Sequence, residues 1–224
     1  MIIKGLLDLI LPSSCFICNS SSKKPICDIC TEKINYFDAV CSRCGKPTVV
    51  LRDSCSFCRP KKLYFDKAWA YGPYEGVLKE AILSLKYDNG IKIALQLVDM
   101  VLPKVNKELL DVDIITSVPT SFTKYVKRGY NQSELLAKAF SANLAKPYYD
   151  CLYRVRIVKD QMSLDKKDRG LNVKSAFDVK REVKDLSILL VDDVFTTGAT
   201  VNECCNALKS KGVKITNVVT LAKA

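Results

Sequence analysis

The chain has 224 residues, 48% of them apolar, which suffices for one α/β domain and a small appendage around a real core. Lysine and arginine outnumber aspartate and glutamate 35 to 24, and there is no histidine, so imidazole ligands and imidazole general bases are excluded. No apolar run approaches the roughly 18–20 residues that cross a bilayer, which excludes a chain built around membrane spans.

The first apolar stretch, GLLDLILP at residues 5–12, is short and interrupted by Asp8. It lacks the small-residue cleavage pattern of a signal peptide and is expected to form a short amphipathic helix docked on the protein.

Eight of the 11 cysteines follow before residue 59, as four CxxC pairs: Cys15 with Cys18, Cys27 with Cys30, Cys41 with Cys44, and Cys55 with Cys58. One CxxC turn brings two thiolates to one metal, and two such turns complete a tetrahedral site. The regular spacing argues against a disulfide framework or a redox CxxC and predicts two structural Zn2+ ions. Sequential pairing would give one site from Cys15, Cys18, Cys27 and Cys30 and another from Cys41, Cys44, Cys55 and Cys58. Short gaps favour this arrangement, and an interleaved cross-brace is the alternative. Four thiolates close the coordination sphere, so such a metal does no chemistry. Cys151, Cys204 and Cys205 fit neither set and are read as small buried hydrophobes.

Beyond residue 60 the pattern becomes alternating strands and helices. LYFDKAWAY (63–71) has strand character, and EGVLKEAILSLKY (75–87) and KIALQLVDMVLPKV (92–105) carry apolar residues at helical spacing. DIITSVP (113–119) reads as a buried strand, NQSELLAKAFSANL (131–144) as an amphipathic helix, and YYDCLYRV (148–155) as a strand. LSILLVDD (186–193) is a strand, VNECCNALKSKG (201–212) a helix closed by Gly212, and VKITNVVTLAKA (213–224) a final strand. The alternation predicts a mostly parallel sheet with helices on both faces. The expected division is 1–60 for the cysteine module with its short N-terminal helix and 61–224 for the α/β domain.

In parallel sheets ligands bind at the carboxyl ends of strands. ILLVDDVFTTGAT (188–200) is such an end, running into the start of a helix. Backbone N–H groups of Thr196, Thr197, Gly198, Ala199 and Thr200 would cradle a phosphate, with Gly198 permitting the tight turn. Asp192 and Asp193 are poor phosphate ligands but good acceptors for sugar hydroxyls. Together they ask for a sugar phosphate.

At these residues the chain resembles the type I phosphoribosyltransferases, whose signature for 5-phosphoribosyl 1-pyrophosphate (PRPP) is four hydrophobics, two acids and a TGxT-like loop. The resemblance implies that Asp192 and Asp193 hold the ribose hydroxyls and that residues 196–200 take the 5′-phosphate. SVPTSFTKYVKRGYNQ (117–132), YRVRIVKDQMSLDKKDRGLNVKSAF (153–177) and LKY (85–87) are similar to stretches of the ComF family of competence proteins, and the CxxC pairs match that family's double zinc ribbon. Tyr130 stands where the family more often has Phe, and Val158 where it often has Thr.

By this resemblance the loop after residues 113–118 meets the pyrophosphate and its Mg2+, with Lys127 and Arg128 nearby. Residues 156–172 resemble the loop that closes over PRPP, with Gln161, Arg169 and Asn172 as its marked positions. Residues 120–184 hold 15 basic against 7 acidic side chains, with Tyr125, Tyr130, Tyr148, Tyr149 and Tyr153 interleaved, a composition suited to a single nucleic-acid strand. The family likeness implies a cytoplasmic factor of natural transformation that binds PRPP and handles single-stranded DNA beside other competence proteins, meeting the membrane uptake machinery only through partners. The alternative is an active phosphoribosyltransferase using an amine or nucleobase acceptor.

Overall fold

A computed structural model describes residues 14–50, 53–85, 90–155 and 176–224, apart from the Lys127 side chain. The expected helix at 5–12, the end of the LKY signature, Val158 and the marked positions Gln161, Arg169 and Asn172 lie outside the described residues.

Four parallel strands form the main sheet: β1 (Lys67–Pro73), β2 (Ile114–Ser117), β5 (Ser187–Phe195) and β6 (Ile215–Lys223), in the order β1-β6-β5-β2. Strand alternation sends Leu189 and Val191 to one face and Ile188 and Leu190 to the other. The first face is covered by α2 (Gly76–Ser84), α3 (Gly90–Val101) and α6 (Gln132–Leu144). The second is covered by α7 (Ala199–Ser210) and by a two-stranded antiparallel ribbon of β3 (Leu152–Arg154) and β4 (Phe177–Val179). Burial on both faces explains why β5 opens as a continuous apolar run. Each fully buried Leu or Ile there contributes about 1.5–3 kcal/mol. The expected parallel α/β architecture with helices on both faces is therefore observed.

Three local expectations change. Residues 148–155 do not form one strand: Tyr148 makes a single parallel bridge to Ile115, and pairing resumes at Leu152 against β4. The break comes because the Cys151 N–H donates to the Thr116 hydroxyl while its carbonyl accepts from Lys180. The first strand starts at Lys67 and runs to Pro73, later than its aromatic pattern suggested. A helix, α5 (Phe122–Arg128), follows β2 where a loop was expected, capped by the Ser121 hydroxyl and closed by Gly129 at φ 77°. Between α3 and β2 lie a short 3-10 turn and α4 (Lys107–Leu110).

The cysteine module, with its own short helix α1 (Asp28–Glu32), straddles the sheet edge. Phe37 N–H donates to Tyr71 O at 2.8 Å and Ala68 N–H to Ser42 O at 3.4 Å, so the open side of β1 is covered. Close approach depends on Gly72, where a Cβ would lie 2.2 Å from the Asn35 carbonyl oxygen. Cys15 and Cys30 join the buried cluster of α2, α3 and α6, whereas Cys41, Cys44, Cys55 and Cys58 join the cluster of α7. Gln96 of α3 clamps the first half by accepting from Ile26 N–H at 2.8 Å and donating to Ile26 O at 2.6 Å. Among the described residues, no helix is long and apolar enough to cross a membrane.

Candidate functional site

The carboxyl end of β5 opens into a cleft of about 240 Å3 whose walls come from three segments distant in sequence. Asp192, Asp193 and Thr200 come from the β5–α7 connection. Val118 to Ser121, Lys124 and Arg128 come from the segment after β2 and from α5, and Asn131, Gln132 and Ser133 from the start of α6. Arg154, at the end of β3, closes the side.

Asp192 is buried, 9% exposed, and its Oδ1 accepts from the Ser133 hydroxyl at 2.7 Å and from Asp193 N–H at 3.0 Å. Burial, with repulsion from Asp193 second, pushes its carboxyl up to about 8. Asp193 is more open, and its Oδ1 accepts from Val194 N–H at 2.7 Å. The neighbouring helix start is held by Asn131, which caps α6 through Ser133 N–H and donates to Val118 O at 2.9 Å. Gln132 takes a hydrogen bond from Arg128, which fixes that guanidinium beside the cleft. Arg154 donates to Pro119 O at 3.3 Å and lies over the Phe177 ring, so a second guanidinium is also positioned. Two acids and three basic side chains, Lys124, Arg128 and Arg154, thus line one cleft.

Of the residues singled out in the sequence, Asp192, Asp193, Thr200 and Arg128 meet in this cleft. Thr197, Gly198 and Ala199 line a neighbouring cavity instead, and Thr196 is exposed and lines neither of these two. Gly198 has φ 80° and begins α7, and a Cβ on it would lie 2.5 Å from the Phe195 ring. Ser133, Asn131, Lys124 and Arg154 were not singled out. The Asn-Gln-Ser sequence opening a helical pattern signals a cap, but only the tertiary fold brings it against Asp192. Among the five interleaved tyrosines, Tyr130 donates to Leu85 O at 2.6 Å and Tyr148 pairs with the Ser117 hydroxyl, so both serve the fold. Tyr125, Tyr149 and Tyr153 are exposed.

The cysteines resolve into the sequential sets: in each, all four Sγ atoms lie within 4.8 Å of one another. Cys18 to Cys27 is 3.7 Å, Cys41 to Cys58 is 3.8 Å and Cys44 to Cys55 is 3.7 Å. A tetrahedron of Zn–S bonds near 2.3 Å requires sulfurs about 3.8 Å apart, so both sets fit Zn2+, and neither contains a disulfide. Cys151, Cys204 and Cys205 are fully buried with thiols pushed up by desolvation, as suits inert core residues.

Residues 6–59 match a double zinc ribbon domain and residues 95–224 a phosphoribosyl transferase domain. The chain is 31% identical over 212 residues to competence protein F of Haemophilus influenzae, covering 91% of this chain and 92% of that protein. It is 29% identical over 224 residues to the DNA utilization protein YhgH of Salmonella typhimurium, covering 96% and 99%. Against competence protein ComFC of Bacillus subtilis the identity is 27% over 203 residues, covering 88% and 78%.

Proposed function

The chain belongs to the competence protein F family and carries its phosphoribosyl transferase domain, and from that premise we propose that it binds PRPP with Mg2+ and handles single-stranded DNA in DNA uptake. The observation carrying the first half is the cleft itself, which sets the Asp192–Asp193 pair beside Lys124, Arg128 and Arg154. Carboxylates suit ribose hydroxyls, and guanidinium and ammonium groups suit phosphates. A ligand with hydroxyls at one end and a pyrophosphate at the other uses both. Mg2+, arriving with the pyrophosphate, would supply charge neutralisation there.

In this reading Asp192 accepts a hydroxyl from the ribose while Ser133 holds the carboxylate in place. Arg128 and Arg154 meet the pyrophosphate, and Thr200, the residue of the 196–200 loop that lines the cleft, meets the 5′-phosphate. The names of the relatives, competence protein and DNA utilization protein, support the DNA role, as does the basic excess of residues 120–184. The double variant Asp192→Asn with Asp193→Asn tests the ribose assignment by titration with PRPP and Mg2+. It is expected to lose binding and keep its fold by circular dichroism; retained affinity would sink the assignment.

A further inference from the structure

The loop at residues 196–200 has two sides. Thr200 faces the cleft with Asp192, whereas Thr197, Gly198 and Ala199 face a second cavity of about 310 Å3 between this loop and the second cysteine set. Its apolar walls include Phe57, Phe65 and Phe195, the last two meeting edge to face with centroids 6.2 Å apart. Its basic wall is Lys61 and Lys62, both exposed.

The cations here are unusual in their partners. Lys61 and Lys46 stand 3.3 and 4.8 Å from the Phe57 centroid, and Lys62 stands 5.1 Å from that of Tyr64. Among the described residues, these three lysines make ring contacts and no ion pair. An ammonium group over a ring keeps N–H bonds free for a phosphate. A small inorganic anion would leave the phenylalanine walls unused, and a neutral apolar ligand would leave the charges unused. A nucleotide uses both, and a strand presents successive phosphates to the adjacent Lys61 and Lys62.

We propose that this cavity is a nucleotide subsite for single-stranded nucleic acid, coupled to the sugar-phosphate cleft through the shared loop. The coupling rests on the PRPP reading above; the subsite itself does not. Gly198 transmits it, because the Phe195 ring that walls the cavity lies where any side chain on Gly198 would have to go. A ligand seated against that wall therefore bears on the loop from its far side.

The test uses the full zinc-loaded chain and a short fluorescently labelled oligothymidylate, read by anisotropy with and without saturating PRPP and Mg2+. In the parent protein PRPP is expected to change strand affinity by about fivefold or more. Lys61→Glu with Lys62→Glu is expected to weaken the strand at least about tenfold and flatten its salt dependence, with PRPP affinity in the absence of strand unchanged. Phe57→Leu, which keeps the charges but removes the ring that seats Lys61 and Lys46, is expected to weaken the strand about threefold with bound zinc unchanged. Unchanged strand affinity in both variants would overturn the subsite and leave the PRPP reading standing. Absence of strand binding in the parent, or loss of PRPP affinity in the strand-free lysine variant, would also overturn it. If the parent bound no PRPP while the variants still lost the strand, the subsite would be upheld and the PRPP reading would fall.

Discussion

Ser133 and Asp192 stand 59 residues apart in the chain and meet side chain to side chain, the serine hydroxyl donating to Asp192 Oδ1 at 2.7 Å. The contact joins the start of α6 to the end of β5 and lowers the cost of ionising a carboxyl that burial holds near 8. Ser133→Ala removes that donor, so the Asp192 carboxyl rises further. PRPP affinity near pH 7 is expected to fall about tenfold and to recover toward the parent value as pH approaches about 9, where the acid ionises anyway. Titration calorimetry at both pH values distinguishes this from a packing defect, which pH would not rescue.

Asp192 is also expected to make the apo protein less stable at high pH. Its folded value, about 8, lies above the ordinary 3.8, so the folded state favours the protonated form. The associated stability is present in full below about pH 4 and is lost as pH rises through about 8. Asp192→Asn is therefore expected to be more stable than the parent at pH 9 by about 1–3 kcal/mol, with a smaller gain at pH 6. Urea denaturation at the two pH values checks this. A variant less stable than the parent at pH 9 would contradict it.

Gly198 and Gly212 share a left-handed backbone, with φ 80° and 84°, but differ in surroundings. A Cβ at Gly198 would press on the Phe195 ring at 2.5 Å, whereas one at Gly212 would meet Lys184, with Cγ at 3.2 Å and Cα and Cβ at 3.8 Å. Gly212→Ala is expected to cost about 1 kcal/mol and leave PRPP binding intact. Gly198→Ala is expected to cost about 1–3 kcal/mol and to weaken PRPP binding as well. Thermal denaturation with and without PRPP separates the two.

The two cysteine sets lie on opposite faces of the sheet, so their loss should have different consequences. Cys27→Ser is expected to lower bound zinc from two to one per chain and loosen the first half of the module while leaving PRPP affinity unchanged. Cys44→Ser is expected to lose the other ion and weaken PRPP binding, because Cys44 shares a buried cluster with Phe65 and Phe195 beneath the loop. Metal analysis paired with titration checks both; unchanged zinc in either variant would refute its ligand set.

The strongest features of the fold were legible because they are local or periodic. The ILLV run of β5, the helical spacing of residues 131–144 and the CxxC turns are each determined within a few residues, and short gaps pointed to the sequential cysteine sets. What escaped was made by distant partners. β4 is three residues long and exists as a strand only because β3 lies beside it. Helix α5 carries little periodic signal over its seven residues and depends on the Ser121 cap and Gly129. Within the cleft, the paired acids announced themselves, but Ser133 and Arg154 acquire meaning only when α6 and β3 reach the end of β5. The straddling of β1 by the cysteine module had no linear signature at all, since Gly72 meets Asn35 only after folding.

The most direct test is calorimetric titration of the zinc-loaded chain with PRPP and Mg2+, first alone and then with a short single strand bound. One PRPP per chain is predicted, abolished in the Asp192→Asn, Asp193→Asn variant, with affinity shifted at least about fivefold by the strand. No heat of binding and no PRPP-dependent rise in thermal stability would contradict the account at its centre.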